Sequence, residues 1–220
     1  MSTLELLLDS FKKILIPGLT VTIPLTIISF SLAIVLGTIT ALVQFADIKH
    51  LKKFARFYIW IIRGTPLLIQ LFVVFYGLPS IGIVIDPFPA AIIVFTINEG
   101  AYSAETIRGA LESVPKGQIE AGYCSGLNFI QIMWHIVLPQ AFRAAFPSLA
   151  NSLIAMVKDT SLAANITVME MFMVTQQIVA RTYKALLLYL ELAAVYLLFS
   201  TVLTKLQTIV ENKLNKQVGK

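Results

Sequence analysis

Five stretches of this chain are apolar for long enough to cross a lipid bilayer, at 16–43, 54–79, 87–110, 138–158 and 185–211. A hydrocarbon core about 30 Å thick takes roughly 20 helical residues to span. The fold predicted from these runs is all-α: one polytopic membrane domain over residues 1–220, with five transmembrane helices. Of 220 residues, 57% are hydrophobic and only 13% charged, a balance outside that of soluble globular domains. The first, second and last runs are clear. The third and fourth contain polar residues, which weakens them as apolar runs and makes them the places to look for a site.

Lysine and arginine set the orientation. Lys49, Lys52, Lys53 and Arg56 fall between the first two runs, and Lys213, Lys216 and Lys220 follow the last, so these ends are expected in the cytoplasm. The turn from Pro79 to Pro87 has no basic residue and one acid, Asp86, and is expected outside. Alternation then puts the N-terminus outside, the 109–138 loop inside and the 159–184 segment outside. Lys12, Lys13, Arg181 and Lys184 run against this assignment. The amphipathic opening from Leu4 to Leu15 is expected to lie along the outer interface. Positive-inside anchoring explains the net charge of +5, with no nucleic-acid partner implied. Glu5 and Asp9 stand where a cleavable signal peptide would carry basic residues, so none is expected.

Several kinds of chemistry are missing. No Gly-rich loop ends in Gly-Lys-Ser or Gly-Lys-Thr, so nucleotide phosphates have no cradle in this chain. His50 and His135 are far apart and lack companions at metal-ligand spacing. No serine stands in a nucleophile-elbow context, and no catalytic residue is assigned. Cys124 is alone and reads as a small residue of the loop.

That loop is a polar segment set between membrane spans. It reads Glu120-Ala121-Gly122, then Gly126, then Leu138-Pro139. A glycine six residues after the glutamate lets two short helices turn sharply, and the proline is expected to fix where the next helix begins. Such a knuckle suits docking to another protein. The pattern resembles the EAA coupling loop of ABC-importer permease subunits. Arg63-Gly64-Thr65-Pro66-Leu67, Gly100-Ala101-Tyr102-Ser103-Ala104-Glu105, Gly117-Gln118, Leu138-Pro139-Gln140 and Lys158-Asp159-Thr160-Ser161-Leu162 are similar to the polar amino acid uptake branch of that family. The departure is Gly122, where the motif has a second alanine. It reads as tolerated variation costing roughly 1 kcal/mol of helix propensity.

The resemblance implies a type I permease fold in the plasma membrane of a bacterium. It also implies two ATPase subunits gripping the Glu120–Leu138 loop and an extracytoplasmic amino-acid-binding protein delivering substrate. ATP and magnesium would be bound by those partner subunits, and this chain needs no cofactor of its own. A chain of this size does not enclose a gated pathway alone, so a second permease subunit, identical or related, is expected.

Ionisable groups at membrane depth line a cavity, pair with each other, or both. On the third run, Asn98, Tyr102 and Glu105 share one helix face, with Glu99 and Ser103 on the adjoining one. Asn98 and Glu99 are the deeper pair and the stronger candidates for substrate contact, with Tyr102 beside them. Glu105 either pairs with Arg108 or joins the pathway. Arg63, ahead of a proline that loosens the second span, either snorkels to the cytoplasmic surface or pairs with Glu105 at the inner mouth. Gln70 is expected to face the cavity. An amino acid carries a carboxylate and an ammonium group, and Lys158 and Asp159 offer both opposite charges at one place. Thr160 and Ser161 are expected to start a short helix with open N–H groups, or to form an ordinary helix cap. The resemblance implies that this segment lies near the outer gate, which Glu170 helps shape. Gly37, Gly64, Gly100 and Gly109 read as packing positions.

The reading for function is a permease subunit, not itself an enzyme, that passes a polar amino acid into the cell. Lys158 to Ala164, Tyr76 to Pro79 and Ile85 to Pro87 resemble cystine permeases most, with glutamine, arginine or another polar amino acid as the alternative. A transporter or channel acting alone is the rival class; it would show an inverted repeat, and none is found. A membrane-embedded enzyme is a more distant rival.

Overall fold

The computed structural model describes residues 3–46 and 49–216, and among them eight helices and no strand. Lys220, one of the tail lysines expected inside, lies outside the described residues. The elements are α1 (Thr3–Phe45), α2 (Lys49–Arg63), α3 (Leu67–Ile81), α4 (Pro87–Glu112), α5 (Lys116–Cys124), α6 (Phe129–Ile166), α7 (Met171–Thr182) and α8 (Ala185–Lys216).

Helices α1 and α8 are each long and apolar enough to cross a membrane, and two bent pairs, α2 with α3 and α6 with α7, pass that test together. Two to four candidate spans thus stand where five were expected. Helix α4 is long enough at 26 residues, yet Asn98 and Glu99 dilute its apolar run, the same residues that make it a site. Residues 4–15 were expected as a separate interfacial segment. Instead they are the first turns of the 43-residue α1, and Leu6, Ser10 and Ile14 are buried where this end packs against α7 and α8. The second expected span is broken: α2 and α3 meet at Gly64-Thr65-Pro66 with a 102° bend. Proline there lacks an N–H and forces its predecessor out of the helical region.

Three prolines leave the same mark. Pro24, Pro79 and Pro139 each follow by two residues a π-helical turn, at Gly18–Thr22, Val73–Gly77 and Met133–Val137. In each, the N–H just before the proline reaches back five residues: Ile23 to Gly18, Leu78 to Val73 and Leu138 to Met133. Widening the helix by one residue makes room for a proline ring that would otherwise strike the carbonyl four residues back. Pro139 therefore does not start a helix, as the sequence led us to expect. Helix α6 starts ten residues earlier, where Asn128 accepts from the Gln131 N–H and the Gln131 side chain accepts from the Asn128 N–H, both at 2.9 Å.

The long shared face of α1 and α4 depends on two of the four glycines assigned to packing. A Cβ on Gly37 would stand 2.9 Å from the Ser103 Cβ, and one on Gly100 2.9 Å from Leu36 and from the Tyr58 hydroxyl. Gly109 has open space around it and Gly64 meets only its own helix end, so neither is a helix-packing position. One core, with Leu25, Leu71, Phe95, Met156 and Ile166, joins α1, α3, α4 and α6. A second, with Ala41, Leu111, Val114, Ile132 and Val137, joins α1 and α4 to the start of α6 beside α5.

Candidate functional site

The break between α2 and α3 frees carbonyls that a continuous helix would have satisfied: the Thr65 hydroxyl donates to that of Ile61 at 2.9 Å, and the Gln70 side chain takes up that of Ile62. The Gln70 Nε2 donates to the Ile62 carbonyl at 2.8 Å and to the Thr65 Oγ1 at 2.9 Å, while its Oε1 accepts from the Asn98 Nδ2 at 3.0 Å. Gln70 was expected to face the cavity. It is spent instead on holding the break and fixing Asn98.

Beside this break is a cavity of about 360 Å³ between the start of α3, the middle of α4 and the outer part of α6. Asn98, Glu99 and Tyr102 come to it from α4, Ser152 and Asp159 from α6, and Thr65 from the break. The sequence placed the first three together; it did not single out Ser152 as a lining residue, and only the packing of α6 on α4 reveals it. Glu99 accepts from the Ser103 hydroxyl at 2.9 Å. Among the described residues the wall carries two carboxylates and no cation, a polarity that suits an ammonium group.

The Lys158-Asp159-Thr160-Ser161 segment divides. Asp159 lines the cavity, whereas Lys158, Thr160 and Ser161 are not among the lining residues. The expected fresh helix start at Thr160 is absent, because α6 runs on without a break as a 3₁₀ turn to Ile166. The Thr160 hydroxyl donates back to the Val157 carbonyl at 2.6 Å and the Ser161 hydroxyl to the Lys158 carbonyl at 2.7 Å. Backward bonds of this kind continue a helix and open no anion site. Glu170 is fully buried, and its side chain caps α7 by accepting from the Met173 N–H at 2.7 Å and from the Tyr196 hydroxyl at 3.1 Å. That contact supports α7 and α8 and does not reach the cavity.

A second cavity, about 350 Å³, opens toward the end of the molecule that carries α5, and Glu105 and Arg108 line it. Both pairings weighed for Glu105 occur at once. Arg108 meets Glu105 at 3.0 Å and Glu112 at 2.7 Å, while Arg63 stands 3.7 Å from Glu105 and 5.2 Å above the centre of the Tyr102 ring. Arg63 thus touches groups from both cavities.

At that same end, α5 and the start of α6 form the two-helix knuckle. Gly126 turns the chain at φ +81°, a conformation costly for residues with a Cβ. Glu120 and Ala121 are exposed, as are Tyr123, Phe129, Ile130 and Trp134. Gly122 is buried, and a Cβ there would stand 2.9 Å from the Ile132 Cγ1 and 3.0 Å from the Ile136 Cδ1. Gly122 thus lies where α5 packs on α6, close enough that a Cβ would make the ends of the Ile132 and Ile136 side chains shift. Leu138 and Pro139 lie on α6 beyond its π turn.

Residues 33–216 match the family described as binding-protein-dependent transport system inner membrane component. The chain belongs to this family. It is a multi-pass membrane permease. It is 43% identical to the L-cystine transport system permease protein TcyB of Bacillus subtilis (strain 168), over 98% of this chain and 93% of that one. It is 35% identical to the octopine transport system permease protein OccM of Rhizobium radiobacter, over 90% and 84%. A crystal structure of an amino acid ABC transporter with histidines superposes on the permease with a TM-score of 0.87 at 32% identity, covering 94% of this chain and 96% of that one. The permease fold is thus that of a type I ABC importer.

Proposed function

We propose that this permease carries a polar amino acid, L-cystine foremost, into the cell as one of two permease subunits of an ATP-driven importer. The observation that carries the reading is the cavity at the break between α2 and α3, where Glu99 and Asp159 stand with Asn98, Ser152 and Tyr102. Two carboxylates offer an ammonium group charge-assisted acceptors, and the Asn98 amide, held by Gln70, offers a fixed polar contact. Cystine has an ammonium group at each end. The 43% identity to an L-cystine permease supports this choice.

Two ATPase subunits bind the exposed face of α5 and the turn at Gly126 and hold ATP and magnesium themselves, while an extracytoplasmic binding protein supplies the substrate. Arg63 and Glu105 shape the inner mouth. A second reading has one specific support: with no cation among the described residues of its wall, the cavity also accepts arginine or histidine, or the neutral amide of glutamine.

Uptake of labelled cystine, glutamine, arginine and histidine by the reconstituted complex tests the proposal. Cystine is expected to accumulate only with ATP. Robust uptake of another amino acid without cystine overturns the substrate; ATP-independent flux through the isolated chain overturns the machine.

A further inference from the structure

The two carboxylates of the cavity at the break are held differently. Glu99 accepts from the Ser103 hydroxyl at 2.9 Å, whereas among the described residues nothing hydrogen-bonds the Asp159 carboxylate. Where Asp159 stands is therefore decided by its backbone. That backbone lies at a change of helix: α6 is α-helical as far as Asp159 and passes into a tighter 3₁₀ turn from Thr160 to Ile166. The hydrogen bonds of a 3₁₀ turn have poorer geometry than those of an α-helix. A charged side chain at such a junction stays in place only if the turn is anchored from outside.

The anchor is the residue next to it. Thr160 is fully buried and is not in the cavity wall. Its hydroxyl lies between the Val157 carbonyl, at 2.6 Å, and the Tyr196 hydroxyl on α8. Tyr196 in turn donates to the Glu170 Oε2 at 3.1 Å, while the Glu170 Oε1 accepts from the Met173 N–H at 2.7 Å. The core against Tyr196 is apolar, with Ile14, Met171, Leu192 and Val195. Polar groups in such surroundings have high-stakes bonds, so Thr160, Tyr196 and Glu170 hold one another as a unit. The link that carries Glu170 is also constrained. It turns at Thr167 with φ +66°, a conformation that a β-branched residue keeps only where its surroundings impose it.

We propose that Tyr196 and Glu170 are positioning residues for the substrate's ammonium group: through Thr160 they fix the turn from which Asp159 reaches the cavity. The inference rests on the reading of that cavity as the substrate site. It gives Glu170 a part in substrate binding without contact with the cavity, and it ties the start of α7 to the placement of a charge on α6.

Tyr196→Phe removes one hydroxyl and keeps the ring; Thr160→Val removes the other and keeps the branch. Dissociation constants are measured on the purified permease–ATPase complex, in the wild-type and Asp159→Asn backgrounds, for whichever of labelled cystine, glutamine, arginine and histidine it takes up. Each variant is expected to weaken binding about fivefold with Asp159 present and less than about twofold in Asp159→Asn, because a residue that acts through another loses its effect once that other is gone. Thr160→Ser restores the hydroxyl and most of the affinity. Equal losses in the two backgrounds overturn the proposal, since general support of the fold would multiply with any other change. Unchanged binding in both variants overturns it as well. If Tyr196→Phe does not assemble, Thr160→Val decides alone. Unchanged binding in Asp159→Asn by itself overturns the cavity reading and this inference together; a loss there, with full multiplication in the double variants, overturns this inference alone.

Discussion

Asn98 in the middle of α4 is fixed by Gln70 across the break between α2 and α3, Nδ2 to Oε1 at 3.0 Å. The same Gln70 amide donates to the carbonyl of Ile62, which the break left without its helical partner. One side chain thereby ties a backbone discontinuity to the wall of the cavity. Gln70→Leu removes both bonds and leaves a carbonyl short of its donor, at a cost of about 1–3 kcal/mol. The melting temperature of the purified complex is expected to fall and substrate affinity to drop about tenfold. A variant with wild-type stability and uptake would show that the break holds itself.

Glu99 and Asp159 come from different helices to one cavity. If each accepts a charge-assisted bond from an ammonium group, each contributes about 1.5–3 kcal/mol. Glu99→Gln and Asp159→Asn are then each expected to raise the half-saturating substrate concentration ten- to a hundredfold, with complex assembly intact. Uptake curves superimposable on wild type in both variants would sink the assignment.

Much of this arrangement was legible in the chain, for identifiable reasons. Asn98, Glu99 and Tyr102 announce themselves because polar residues inside an apolar run have few explanations, and helical spacing puts them side by side. Gly126 and the Glu120 knuckle are local, and local signals survive in sequence. The role of Gln70 is not local: it follows from the 102° bend, which one proline suggests but does not measure. The Thr160-Ser161 pair misleads because the same hydroxyls that cap a helix also bond backward and continue it. Ser152 and the burial of Glu170 depend on tertiary packing, which periodicity does not record. Pro139 looked like a helix start, since the π turn that accommodates it inside α6 is something no residue pattern here forecast.

Arg108 bridges Glu105 and Glu112 at 3.0 and 2.7 Å, whereas Arg63 stands 3.7 Å from Glu105. All four side chains are partly exposed, so solvent screens them and neither pairing contributes more than about 1 kcal/mol. Arg108→Gln is expected to lower the melting temperature measurably and Arg63→Gln hardly at all. The gap should narrow at high salt, because screening weakens the better-formed pairs most in absolute terms. A larger loss in Arg63→Gln, read by differential scanning of the complex, would mean that the inner mouth depends on that arginine and its contact with Tyr102.

Gly122 separates the packing of the knuckle from its docking. An alanine there gains about 1 kcal/mol of helix propensity, but its Cβ presses on Ile132 and Ile136 at 2.9–3.0 Å. The two effects are of similar size, so Gly122→Ala is expected to leave both stability and transport nearly unchanged. Valine gains less propensity than alanine and adds bulk against the same side chains, an overpacking cost of about 1–3 kcal/mol that shifts α5 outward. Glu120 is exposed beside it, so Glu120→Lys alters the docking surface and leaves the fold alone. In proteoliposomes with binding protein and ATPase subunits, Gly122→Val and Glu120→Lys should both lose substrate-stimulated ATP hydrolysis, while only Gly122→Val lowers the melting temperature. Normal stimulation in Glu120→Lys would remove the knuckle from the coupling path, whatever the valine variant does.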